Sequence, residues 1–331
     1  MPIAHPAEPY GGSDNTRFDH TLADQTLADP MLAAPTHAEG ASPYTEADDR
    51  FGSLTYLAHD DLAPDERWSR WNDLDDLATG PEPRPDWVIT GEAIDTDLGT
   101  LKSGKEATCY LLQRTGFGYL PDGSPLPDPP SVIMVGKVYR TSEHSHFHRK
   151  ASYLEGRTVR NTRDRRAMAK GSSYGQQVSA ATWAQAEWSA LVRLWRLGVP
   201  VPYPVQLDDL EICMELITDA DGTPADRLVQ ARPGPDALAD TWRQLHDAMI
   251  TMVRAGLVHG DLSPYNLLLA DPATQPRLVI IDVPQLVDLA ANPGGFDLLH
   301  RDCANVVTWF VRRGLDLDAE EVFADLVAQA F

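Results

Sequence analysis

Two acids and an amide at fixed spacing constrain this chain more than any other feature. In the run LVHGDLSPYNLLL, Asp261 and Asn266 stand five positions apart, on a loop between a long helical pattern and an apolar strand. Asp282 closes a second apolar strand sixteen residues after Asn266. Taken singly, Asp261 would cap a turn, Asn266 would hold a backbone bend and Asp282 would end a strand. In this order, with His259 and Gly260 leading in, they meet the needs of phosphoryl transfer: a carboxylate to orient the nucleophile and oxygen ligands for magnesium on the phosphates. Asp261 fits the first role, as a catalytic residue; Asn266 and Asp282 fit the second, as metal ligands. His259 reads as a structural residue packed beneath the loop.

Such a site also needs a cation on the phosphates, held by an acid. Lys137 lies among Val135, Val138 and Tyr139 in a strand, where an unpaired ammonium is costly. Glu187, on a later helical stretch, is the expected partner. The plain alternative is a lysine snorkelling from an edge strand and a solvated glutamate. About thirty residues ahead of Lys137, the turn of Ser103, Gly104 and Lys105 has only one glycine, yet its backbone N–H groups and the Ser103 hydroxyl could cover phosphates. Glu215 and Ile217, at the end of the strand before the hinge, are assigned with them to the nucleotide site.

The surrounding pattern supplies a frame. Strands are expected at 98–101, 107–113 and 131–139, making a small antiparallel sheet. Helical periodicity follows at 179–197, short strands at 201–207 and 211–217, and a helix at 237–254. Two more short strands, 267–269 and 278–281, precede helices at 296–313 and 319–330. Ahead of all these, Trp68, Trp71, Leu74 and Leu77 recur at helical spacing, so 64–77 is expected to be a helix, stopped by Pro81, Pro83 and Pro85. The fold class is α+β with two lobes, and a ligand cleft between the lobes is the natural expectation. The expected division is a largely disordered acidic segment at 1–60, a helix and Pro-rich linker at 61–85, an N-lobe at 86–217 and a C-lobe at 218–331.

Composition narrows the field further. The 331 residues carry 28 Lys plus Arg against 49 Asp plus Glu, a net charge of −21. Overall charge therefore disfavours binding to duplex nucleic acid or to anionic membranes. The first thirty residues have neither a basic start nor an apolar stretch, and no apolar run approaches the ~18 residues of a membrane span. A cytoplasmic location is the expectation. Cys109, Cys213 and Cys303 are far apart, without metal-ligand spacing. One basic island interrupts the acidity: residues 140–170 hold nine Lys or Arg and three acids, and read as a flexible loop.

The strings LKSGKEATCYLL, GKVYRTSEHSHF, TWAQAEWSALVRLWRLGVPVPYPV, LVHGDLSPYNLLL, LVIIDVPQLVD and RDCANVVTWF together resemble the RIO family of atypical serine/threonine protein kinases, over roughly residues 95–325. SGKEA replaces a glycine-rich loop, and IDVPQ stands where ordinary kinases have DFG. The resemblance implies a protein-kinase-like fold without an activation segment or large substrate lobe, and ATP between the lobes. It also implies Lys137 paired with Glu187, Asp261 as catalytic residue, Asn266 and Asp282 on magnesium or manganese, and a phosphoaspartate at Asp282. Two departures stand out: Pro264 replaces a frequent acid, and Gly136 replaces a larger apolar residue.

Three activities fit this reading: a serine/threonine protein kinase, an ATPase switch in small ribosomal subunit maturation, and a small-molecule kinase similar to aminoglycoside phosphotransferases. SGKEA, YRTS and IDVPQ weigh against the last. The default reading of the 140–170 loop is a solvated charge run; the alternative, given the family, is that Arg157, Arg160, Arg163, Arg165 and Arg166 contact ribosomal RNA or a pre-ribosomal particle.

Overall fold

Six antiparallel strands form the first lobe. They are β1 (Glu66–Trp68), β2 (Ala93–Ser103), β3 (Ala107–Gly116), β4 (Ser131–Tyr139), β5 (Pro204–Asp208) and β6 (Glu211–Glu215), in the order β1-β2-β3-β4-β6-β5. The computed structural model describes residues 62–122, 124–140 and 173–330, with side chains from residue 179 in the last stretch. The acidic segment 1–60 and all of the basic stretch except Arg140 lie outside these residues.

Alternation along β4 decides the lobe's two faces. Met134 packs with Tyr110, Leu112, Tyr203, Val205 and Cys213 on the back of the sheet. Lys137 and Tyr139 point the other way, and Tyr139 joins the main core. Against that front face lies α1 (Ser173–Arg196), which buries Trp183, Ala184, Glu187, Trp188, Leu191 and Leu194 along one side. Gly198, at φ 75°, ends it: Gly198 N bonds Trp195 O and Val199 N bonds Leu194 O. A side chain is disfavoured at that left-handed position.

After β7 (Asp226–Arg227), α2 (Pro235–Arg254) starts with proline in its first turn and buries Leu238, Leu245, Met249 and Met252. β8 (Leu257–Val258) then enters the motif loop, and β9 (Leu267–Ala270) and β10 (Arg277–Ile280) form a hairpin with β7 on its flank. β11 (Val287–Asp288) pairs with β8. α3 (Gly295–Val311) and α4 (Ala319–Gln329) complete the second lobe, α4 capped by Asp318, whose carboxylate accepts from Glu320 N and Glu321 N. The two-lobed α+β architecture is as the residue pattern implies.

The expected helix at 64–77 does not form. Residues 66–68 are the edge strand β1, paired to β2 through Glu66↔Thr96 and Trp68↔Ile94, and residues 71–73 make one 3₁₀ turn. Trp71 is buried, while Leu77 is 85% exposed. Two effects defeat the helical spacing. The open edge of β2 offers ladder bonds, and Asp75 turns the chain by accepting Leu77 N and Ala78 N on its side chain. β2 is also longer than the expected 98–101, with bulges between Asp97 and Gly99 and between Thr100 and Lys102.

Candidate active site

Lys137 is held in mid-sheet, opposite Cys109 on β3 and Ile212 on β6. Its Nζ donates to Glu187 Oε1 at 2.6 Å and to Asp282 Oδ1 at 3.1 Å. The second oxygen of Glu187 accepts the Tyr139 hydroxyl. Side-chain exposure is 12% for Lys137, 2% for Glu187 and 48% for Asp282, so a buried pair opens onto a half-exposed acid. Burial opposes the ammonium charge, but Glu187 and Asp282 outweigh it and hold the Lys137 pKa well above the usual lysine value. The nearby ammonium in turn holds Asp282 below the ordinary carboxylate range.

Asp282 sits at φ 62°, a left-handed conformation uncommon for a residue with a side chain. The residue before it is tied to the motif loop, since Ile281 N donates to Asn266 O at 2.9 Å. Asn266 is buried, and its Nδ2 donates to Asp261 O at 2.9 Å and to Asp261 Oδ2 at 3.5 Å. With the nitrogen so engaged, the amide oxygen of Asn266 and the carboxylate of Asp282 remain as hard oxygen donors, the set that suits magnesium. Burial raises the Asp261 pKa above the ordinary value; Arg301 opposes the rise and Asp282 adds to it. His259 is fully buried under the loop, with Nδ1 accepting Asp261 N at 3.2 Å and Nε2 3.3 Å from Ile281 O. Burial depresses its pKa to about 4.

A brace on α3 had no role assigned from sequence. Asp302 accepts Gly260 N at 2.8 Å and Leu262 N at 2.9 Å, one on each carboxylate oxygen. Arg301 donates to Gly260 O, and Asn305 Nδ2 donates to Leu262 O at 3.2 Å. Both backbone groups of Gly260 and of Leu262, the residues flanking Asp261, are thus gripped from one helix. Burial pushes the Asp302 carboxyl up to about 7 despite the two amides. The signal was present as three polar residues in RDCAN at helical spacing, but only the fold shows what they hold.

The remaining expected residues divide. Gly104 N donates to Ala107 O at 2.9 Å, and Ser103 Oγ accepts from Arg140 Nη2 at 2.6 Å, so two groups expected to face phosphates are engaged inside the turn. Lys105 is exposed. The turn is coupled electrostatically to the acids: the Glu106 charge bears on Asp261, and the Asp282 charge on Lys102. Glu215 is committed to the scaffold: Oε2 accepts Tyr203 N at 3.1 Å and Oε1 lies 3.5 Å from Arg277. Ile217 is buried, and its carbonyl accepts Ala225 N.

Residues 128–322 match the model of the RIO domain. The chain belongs to the RIO family. A RIO-type serine/threonine-protein kinase Rio1 from Haloferax volcanii is 36% identical over 230 residues, covering 70% of this chain and 68% of the relative. Serine/threonine-protein kinase RIO1 from Chaetomium thermophilum is 30% identical over 238 residues, 69% of this chain and 42% of the relative. The chain thus spans less than half of this fungal RIO protein. Among solved structures, the Rio2 kinase–ADP/Mg2+–phosphoaspartate complex from Chaetomium thermophilum aligns at a TM-score of 0.45 and 21% identity, over 69% of this chain and 60% of that one. The RIO match begins after β3, so the edge strand β1 and the segment up to residue 88 lie outside it.

Proposed function

We propose that this RIO protein is an ATP-dependent serine/threonine kinase, transferring the γ-phosphoryl group to a protein hydroxyl or to its own Asp282. The observation that carries the reading is Lys137 held between Glu187 and Asp282, with the residue before Asp282 bonded to Asn266 of the motif loop. Lys137 neutralises the α and β phosphates. Glu187 keeps its ammonium in place. Asp261 accepts a hydrogen bond from the acceptor hydroxyl and aims the oxygen at the γ phosphorus. As the new P–O bond forms, the bond to the β-phosphate oxygen breaks, ADP leaves, and the hydroxyl proton passes to Asp261 and then to water. When bound to Asn266 and Asp282, magnesium neutralises charge building on the phosphate oxygens.

A second reading, an ATPase switch acting in small ribosomal subunit maturation, draws on one feature. Between Asp282 and α3 only residues 283–294 intervene, with the short β11 among them. That leaves little chain with which to build a platform for a protein substrate. Incubation with γ-labelled ATP and magnesium separates the outcomes. An acid-stable label on a protein hydroxyl supports the kinase, a hydroxylamine-labile label supports transfer to Asp282, and free phosphate alone supports the switch. Label on an aminoglycoside would overturn both.

For partners, the excess of six positive charges over 140–170 in a chain of −21 favours an anionic contact such as ribosomal RNA. Replacing Arg157, Arg160, Arg163, Arg165 and Arg166 by Gln should abolish RNA association and flatten its salt dependence. Unchanged association would reduce the segment to a solvated linker. Among the described residues no helix is long and apolar enough to cross a membrane.

A further inference from the structure

Residues 62–88 bind the first lobe at both of its edges. At one end β1 extends β2, with Ser69 N on Ala93 O and Asp97 N on Asp65 O, each at 2.8 Å. At the other end the chain pairs with β5: Gly80 N donates to Val205 O and Leu207 N to Ala78 O, both at 2.8 Å. Between these ends Trp71 packs into the cluster on the back of the sheet. Arg67 pairs with Glu211 on β6 and donates to the Tyr110 hydroxyl at 3.1 Å. The Tyr110 ring fits there because position 136 is glycine, and a Cβ at 136 would overlap it. The unusual Gly136 is therefore matched to this strap and not to the cleft.

The strap also reaches the helix that carries Glu187. The indole Nε1 of Trp188 donates to Leu77 O at 2.8 Å. Tyr203, whose hydroxyl donates to Pro81 O at 3.0 Å, meets Trp87 of the strap and Trp195 of α1 edge to face, at 5.9 and 5.0 Å. Lys137 is fixed by strand ladders on both sides, whereas Glu187 of α1 reaches the sheet through side-chain bonds to Lys137 and Tyr139, so the helix is the more movable member of the ion pair. A displacement of about 1 Å would take Glu187 out of hydrogen-bond range of Lys137.

We propose that residues 62–88 position the Lys137–Glu187 pair, the Trp188–Leu77 hydrogen bond being the tether that sets α1 against β4. This rests on the kinase reading for its consequence in catalysis, but not for its test. Trp188 is a positioning residue, acting through Glu187.

The test measures acylation of Lys137 by a small amine-reactive reagent, followed by mass spectrometry on the full chain without nucleotide. Trp188→Phe keeps the ring and removes the donor; Gly80→Ala forces the strap from Pro204 O and Tyr203, which a Cβ there would overlap. Each should raise the Lys137 labelling rate about five- to tenfold, as loss of one net buried hydrogen bond gives. Glu187→Gln should raise it too, and Trp188→Phe should add nothing further in that background. Gln113→Ala, which removes a bond to Ser131 elsewhere on the sheet, should leave the rate unchanged. An unchanged rate in Trp188→Phe would overturn the proposal, as would an equal increase with and without Glu187→Gln, even if both strap variants melt earlier. If the wild-type chain uses no ATP while these rates behave as stated, the kinase reading falls and the positioning role stands.

Discussion

The Nζ of Lys137 lies 3.1 Å from Oδ1 of Asp282, a residue 145 positions away on the other lobe. This contact joins a cation suited to phosphates with an acid suited to magnesium. Both charges favour the contact. Nucleotide and metal would therefore compete with it, and each partner should affect ATP use differently.

Lys137→Ala should lower kcat/KM for ATP by ~10²-fold or more, the scale of removing one positioned charge from a phosphate site. Asp282→Asn should instead weaken the magnesium dependence of nucleotide binding. Steady-state kinetics across a magnesium titration distinguishes the two, and wild-type turnover in either variant at saturating ATP and magnesium would refute its assigned role.

Asp261→Ala should cut phosphotransfer by ~10²-fold or more while leaving nucleotide affinity near that of the wild type, since the side chain acts on the acceptor hydroxyl. Binding measured by calorimetry beside the rate decides it. A parallel collapse of affinity would make the residue structural.

Asp302→Ala leaves the amides of Gly260 and Leu262 without their acceptors under a buried loop. Such groups cost about 1–3 kcal/mol each. Denaturant unfolding should show a loss of a few kcal/mol, and phosphotransfer should fall with little change in KM. An unchanged midpoint would mean that the helix is not what holds the loop.

His259 gives a pH dependence of defined sign. Burial lowers its pKa to about 4 in the folded protein, from an ordinary imidazole value near 6.5. Above 6.5 both folded and unfolded states are neutral there and the group contributes nothing to the pH slope. Between 6.5 and 4 only the unfolded state takes up the proton, so stability is lost on acidification, by up to about 3 kcal/mol. His259→Gln should lose less stability than wild type between pH 7 and pH 4.5. An imidazole seen by NMR to titrate near 6.5 would contradict the burial argument.

Gly136→Ala places a methyl in the Tyr110 ring. Overpacking of this kind costs about 1–3 kcal/mol, and Tyr110→Ala in the same chain should return part of it. Thermal unfolding of the two single variants and the double variant measures the coupling.

What the residues determine alone is what local pattern and chemistry suffice to specify. A long apolar stripe makes α2 whatever surrounds it, and β4 reads as a strand from its own Val and Ile. A lysine inside such a strand demands an acid, so Lys137 and Glu187 could be paired from 50 positions apart. The order of Asp261, Asn266 and Asp282 is likewise legible without coordinates, and the phosphotransfer proposal starts from it. Tertiary structure decided the segments whose partners are remote. Trp68 and Trp71 carry helical spacing, yet the free edge of β2 supplied ladder bonds that a short helix could not match. Gly136 is intelligible only beside Tyr110, and Asp302 only beside Gly260 and Leu262, because neither a void nor an unpaired amide is visible until the chain has closed around it. Ser103 and Gly104 show the same dependence: only the β3–β4 ladder and the turn bring Arg140 and Ala107 within hydrogen-bond reach of their polar groups.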